Sequence, residues 1–72
     1  MHFEKLIIAI KERRESLQIT QETLSGTSEV GLRTIKQFES GKGNPTLLTL
    51  QKLADVLGLE VTLKLKNMTP DK

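Results

Sequence analysis

The sequence predicts a mainly α fold: a bundle of four short helices followed by one C-terminal β-strand. Apolar residues recur at helical spacing through most of the chain, which sets the helices. After Gly58 the pattern switches to strict alternation of apolar and polar residues, which sets the strand. A length of 72 residues with 36% hydrophobic content supports one small core and not two.

The first helix is expected from Phe3 to about Leu17. Ile7, Ile10, Arg14 and Leu17 recur at helical spacing with Leu6 beside them, while Lys11, Glu12, Arg13 and Glu15 fill the other face. Ser16-Leu17-Gln18-Ile19 reads as its stop. Thr20 offers a hydroxyl N-cap to a second helix from Gln21 to about Gly26 or Thr27, with Leu24 inward and the small Ser25 next to it. The tight connection Ser28-Glu29-Val30-Gly31 leads to a third helix from Leu32 to about Glu39. Ile35 and Phe38 form its inward face, Phe38 as a core residue, and Arg33, Lys36 and Gln37 point elsewhere. Ser40-Gly41-Lys42-Gly43-Asn44-Pro45 is loop, with glycines, Asn and Pro together. Thr46 caps a fourth helix, Leu47 to Leu57, whose Leu50, Leu53, Ala54 and Leu57 make an apolar stripe; Gly58 stops it. Glu60 to Lys66 is the strand, and Asn67 to Lys72 is a polar tail expected to be flexible. The domain therefore spans residues 1–66, with 67–72 as the tail.

Composition narrows the function classes. With no cysteine there are no disulfides and no zinc thiolates, so a reducing, cytoplasmic setting is expected. The single histidine, His2, and the absent cysteines supply no catalytic triad, so no enzyme, no metal and no cofactor are expected. Neither Trp nor Tyr is present, which argues against stacking on single-stranded nucleic acid. Eleven Lys+Arg against nine Asp+Glu give a net charge of only +2, so placement of charge must carry any argument for a polyanion. The longest apolar run, Leu6 to Ile10, is too short for a membrane span, and no signal-peptide pattern precedes it. Glu12, Glu22 and Glu29 read as solvated surface, and Lys64 and Lys66 as strand-edge charges that deter aggregation.

Two short helices joined by a turn, then a loop and a further helix, suggest a helix-turn-helix. Thr20-Gln21-Glu22-Thr23-Leu24 through Val30, Thr34-Ile35, Phe38-Glu39-Ser40-Gly41-Lys42 and Asn44-Pro45-Thr46 resemble the phage-repressor-type (Cro/repressor, or xenobiotic-response-element) family, over about residues 6 to 58. The resemblance implies a lambda-repressor-like bundle. The end of the chain, Leu53-Ala54-Asp55-Val56-Leu57-Gly58-Leu59-Glu60 and then the alternation, is similar to the HipB-like antitoxin group. A lone strand on a helical domain has no partner for its backbone N–H and C=O groups, and pairing with the same strand of a second copy supplies one. Val61, Leu63 and Leu65 would then face the helices and the partner in a homodimer.

The resemblance assigns site residues position by position. Gln21 matches a helix-start glutamine that braces the DNA backbone and sometimes the first reading residue. Leu32, Arg33, Lys36 and Gln37 fall on base-facing positions, and Thr34, Lys42 and Asn44 on phosphate contacts. Arg33 suits guanine and Gln37 suits adenine through paired hydrogen bonds. Arg14 and Glu39 match a pair that forms an ion bridge in relatives; both also lie near inward faces, where a charge needs a partner. Three positions depart from the pattern: Glu29 and Gln18 stand where glycine is usual, and Gly31 stands where a Ser or Thr N-cap is usual. A left-handed backbone at Glu29 costs roughly 1 kcal/mol for a side-chain-bearing residue.

The expected function is a sequence-specific double-stranded DNA-binding repressor acting on an inverted-repeat operator, in a bacterial cytoplasm and associated with the nucleoid. Similarity to HipB-like proteins implies an antitoxin with a HipA-like kinase toxin as partner. The alternatives are an orphan or phage-type repressor without a toxin, and a protein-interaction module built on the same scaffold.

Overall fold

The computed structural model of the protein describes residues 3–63. Along the chain lie α1 (Glu4–Ser16), α2 (Gln21–Ser28), α3 (Leu32–Glu39) and α4 (Leu47–Leu57). The bounds of α3 and α4 are those the spacing predicts. Helix α2 runs further than expected, to Ser28, so the connection to α3 is Glu29-Val30-Gly31.

Side-chain caps start the two helices that carry Thr before them. Thr20 Oγ1 accepts from the Thr23 N–H at 3.0 Å, and Thr46 Oγ1 from the Thr49 N–H at 3.1 Å. Such a cap is worth about 1 kcal/mol. Gly31 gives α3 no side-chain cap, as the sequence implies.

Backbone turns close the other ends. After α3 the Gly41 N–H reaches the Phe38 carbonyl and the Lys42 N–H reaches the Gln37 carbonyl, the paired bonds of a Schellman motif. The same pair follows α4 at Gly58 and Leu59, and follows α1 at Gln18 and Ile19. The α1 version uses a glutamine at φ 59°, and α2 ends on Glu29 at φ 64°. Both places where the sequence lacks the expected glycine are thus left-handed.

One core joins all four helices. Ile10, Leu24, Val30, Ile35, Phe38, Leu53 and Leu57 form a buried cluster, with Ile7, Ile19, Leu50, Val56 and Leu59 packed against it. Helices α1 and α2 each pack on both α3 and α4. Leu17 does not join the inward stripe: it is the C-cap of α1, where the chain turns toward α2, and is exposed.

Over its described residues, 60–63, the alternating segment does not form the expected strand in the single chain. Among the described residues there is no strand; residues 60–63 have no ladder, Val61 is 39% exposed and Leu63 is 100% exposed. A single strand has nothing to pair with in one chain, so alternation alone cannot hold it to a sheet. Leu63 therefore does not pack on the helices, and Val61 is only partly covered. Leu65, Lys64, Lys66, the 67–72 tail and His2 lie outside the described residues.

Candidate nucleic-acid interface

Helix α3 divides cleanly into two faces. Ile35, Phe38 and Glu39 are buried, which fixes the helix against the core. Arg33, Thr34, Lys36 and Gln37 are exposed, and Leu32 at the helix start is half-buried. The residues assigned to base contact thus come together on one surface, and the burial behind them prevents the helix from rolling.

A polar hub sets the position of α3. Arg14 Nε donates to Glu39 Oε2 at 2.7 Å and Arg14 Nη2 to Glu39 Oε1 at 2.9 Å, a two-pronged ion pair. The third nitrogen, Nη1, donates to the Ile19 carbonyl at 2.7 Å. The side chains of Arg14 and Glu39 are only 11% and 3% exposed. The hydrogen bond to Glu39 raises the Arg14 pKa above its ordinary value, desolvation opposes it, and the charges of Glu39, Glu15 and Glu22 add to the rise. The guanidinium is therefore always charged. The paired charges expected at these positions are present, and no buried side-chain polar atom among the described residues lacks a hydrogen-bond partner.

Gln21 joins this hub. Its Nε2 donates to Glu39 Oε1 at 3.0 Å, so the first residue of α2 is tied to the last residue of α3. One of its two amide hydrogens is turned inward, not toward the outward face of α3. Leu32 has no polar group for Gln21 to brace.

The turn between α2 and α3 is held by two serines. Ser28 Oγ accepts from the Val30 N–H at 3.2 Å, and Ser25 Oγ donates to the Val30 carbonyl at 2.7 Å. Val30 itself is buried, as a plug for the turn. This clasp holds the bend although Glu29 lacks glycine's freedom.

Beside α3, Thr34 and Gln37 share a shallow cleft with Asn44, Thr46 and Thr49, floored in part by Phe38 and Pro45. Two of the expected phosphate contacts, Thr34 and Asn44, therefore lie next to the capped N-terminus of α4. Lys42 is exposed on the same loop, and its backbone N–H is used by the α3 terminus. Gly43 has φ 98°, and a Cβ there would meet Gln37 Cβ at 3.3 Å. A side chain at position 43 would thus be strained by the positive φ and would need Gln37 to give by a few tenths of an ångström.

Sequence reasoning missed the serine clasp and one long-range cap. Arg13 Nε donates to the Leu57 carbonyl at 2.8 Å, closing the end of α4 from α1. The available signal was the absence of any basic residue in the last turn of α4, whose carbonyls attract a cation. Among the described residues no group of His, Asp and Glu is placed to hold a metal ion. No helix there is long and apolar enough to cross a membrane.

Comparison with known proteins agrees with this architecture. Residues 10–64 match the family described as helix-turn-helix. The cryptic phage CTXphi transcriptional repressor RstR of Vibrio cholerae serotype O1 is 36% identical over 56 residues, covering 72% of this chain and 50% of that protein. The chain thus spans half the length of the curated relative it matches. With a buried-backed third helix, a clasped turn and a match over residues 10–64, the chain belongs to the phage-repressor-type helix-turn-helix family.

Proposed function

We propose that this protein is a sequence-specific double-stranded DNA-binding repressor that acts as a homodimer in the cytoplasm. The carrying observation is the outward face of α3, where exposed Arg33, Lys36 and Gln37 stand on a helix anchored by Ile35 and Phe38. A helix fits the major groove, which is about 12 Å wide. Arg33 and Gln37 then meet base edges, and Thr34, Lys42 and Asn44 meet phosphates. The similarity to a protein named as a phage transcriptional repressor supports the same reading.

Selection from a randomised duplex library, followed by titration at two salt concentrations, tests it. A preferred sequence is expected, with binding that weakens as salt rises because Lys and Arg release counterions. Failure to select any sequence, with a salt-independent response, overturns the reading and favours a protein-interaction module. Gln37→Ala and Lys36→Ala are each expected to lose sequence preference, by about 1–3 kcal/mol, while the fold is kept. Unchanged footprints for both variants reject α3 as the reading helix.

The homodimer rests on the alternation from Glu60 to Lys66 and on the exposure of Val61 and Leu63 in a single chain. An antiparallel ribbon across a twofold axis supplies the missing ladder and covers those side chains. The operator is then an inverted repeat with half-sites about one helical turn apart. The finer role, antitoxin to a HipA-like kinase, is supported by the similarity of residues 53–66 to the HipB-like group. Co-purification of such a kinase encoded next to this gene is the expected result; a lone gene with no kinase partner leaves the orphan-repressor reading.

A further inference from the structure

Leu32 is the one apolar side chain among the residues assigned to base contact. It opens α3 directly after Gly31, which has no side chain to cover it. It is half-buried, yet it is not among the partly buried aliphatics packed against the core, which are Ile7, Ile19, Leu50, Val56 and Leu59. Helical spacing puts it one turn before Lys36, on the flank of the exposed face. Its position at the start of the helix does not call for leucine, because that first turn favours acidic and small polar residues.

A leucine offers a base neither a donor nor an acceptor. The glutamine at the start of α2 cannot supply one through it, since Gln21 is bonded to Glu39 and Leu32 has no polar atom to bridge. The only apolar group on the major-groove edge of a base pair is the C5 methyl of thymine. We propose that Leu32 is a specificity-determining residue that reads one thymine per half-site through its C5 methyl, beside the hydrogen-bonded readout by Arg33 and Gln37. This inference rests on the DNA-binding reading given above and names part of the sequence that reading requires.

Uracil substitution tests it directly. In a duplex selected with the wild-type protein, each thymine is replaced in turn by uracil, which removes the methyl and leaves the pairing edge intact. One position in each half-site is expected to weaken binding about fourfold, the worth of one buried methyl-sized group. Leu32→Ala is expected to bind the thymine and uracil duplexes equally, and Leu32→Ile to keep the preference, both with unchanged helical circular dichroism. Wild-type protein indifferent to uracil at every position overturns the proposal while leaving DNA binding intact. So does a Leu32→Ala variant that keeps the full thymine preference. A protein that selects no duplex at all overturns the DNA reading itself, and this inference with it.

Discussion

The guanidinium of Arg14 touches α1, the Ile19 carbonyl after it and Glu39 at the end of α3, and Gln21 adds α2 through the same carboxylate. Removing one member strands a buried charge. Arg14→Ala or Glu39→Ala is therefore expected to cost about 3–5 kcal/mol in urea denaturation. Arg14→Met combined with Glu39→Leu is expected to cost less than the sum, because neither charge is then left alone. A loss under about 1 kcal/mol for either single variant shows that water solvates the pair. The sequence revealed part of this hub. Arg14 falls on the stripe of Ile7 and Ile10, and Glu39 follows Phe38, so both were visible as inward charges needing partners. The inward turn of Gln21 was not visible. It depends on a free lone pair of a carboxylate 18 positions away, which only the packing of α2 beside α3 supplies.

At the level of elements, helix ends hold most of the correctable strain. Gln18 and Glu29 occupy left-handed backbone where a side chain costs energy that glycine avoids. Gln18→Gly and Glu29→Gly are each expected to raise stability by about 0.5–1 kcal/mol, read as a higher urea midpoint with an unchanged slope. The reverse applies inside α2, where Gly26 is exposed and a Cβ would meet nothing within 4 Å. Gly26→Ala is expected to stabilise by about 0.5–1 kcal/mol. Gly43→Ala should instead destabilise, since it combines a positive φ with a close approach to Gln37, and a stable variant with intact operator binding contradicts that account. The helices themselves were readable because cap and stripe agree: Thr20 and Thr46 start them, and Leu50, Leu53, Ala54 and Leu57 face inward as spacing requires. Alternation from Glu60 onward reports which faces differ in polarity, not whether a neighbouring strand exists, so it does not place a strand within a single chain. The hydrogen bonds of Ser25 and Ser28 were not legible because a hydroxyl's partner, here the Val30 backbone, is set by the bend it stabilises.

The whole molecule has a small core and carries exposed Leu47, Leu48 and Leu63 outside it. A chain of this size is marginal alone and gains by association. If two copies pair through residues 60–66, the melting temperature rises with protein concentration, because folding and association are then one equilibrium. Leu63→Lys is expected to abolish that dependence and to shift sedimentation toward the monomer; an unaffected dimer excludes the ribbon. One feature of the whole follows from the hub and the core together. The side chains that seat α3 on the core and the hub, Ile35, Phe38 and Glu39, lie on its inner side, and those of Arg33, Lys36 and Gln37 are exposed on the other. On the proposed function, recognition and folding draw on separate side chains of the same two turns. On that reading, exchanging the outer residues for others of similar helix propensity is expected to rewrite which operator is chosen without loosening the scaffold, so new specificities lie only a few substitutions away.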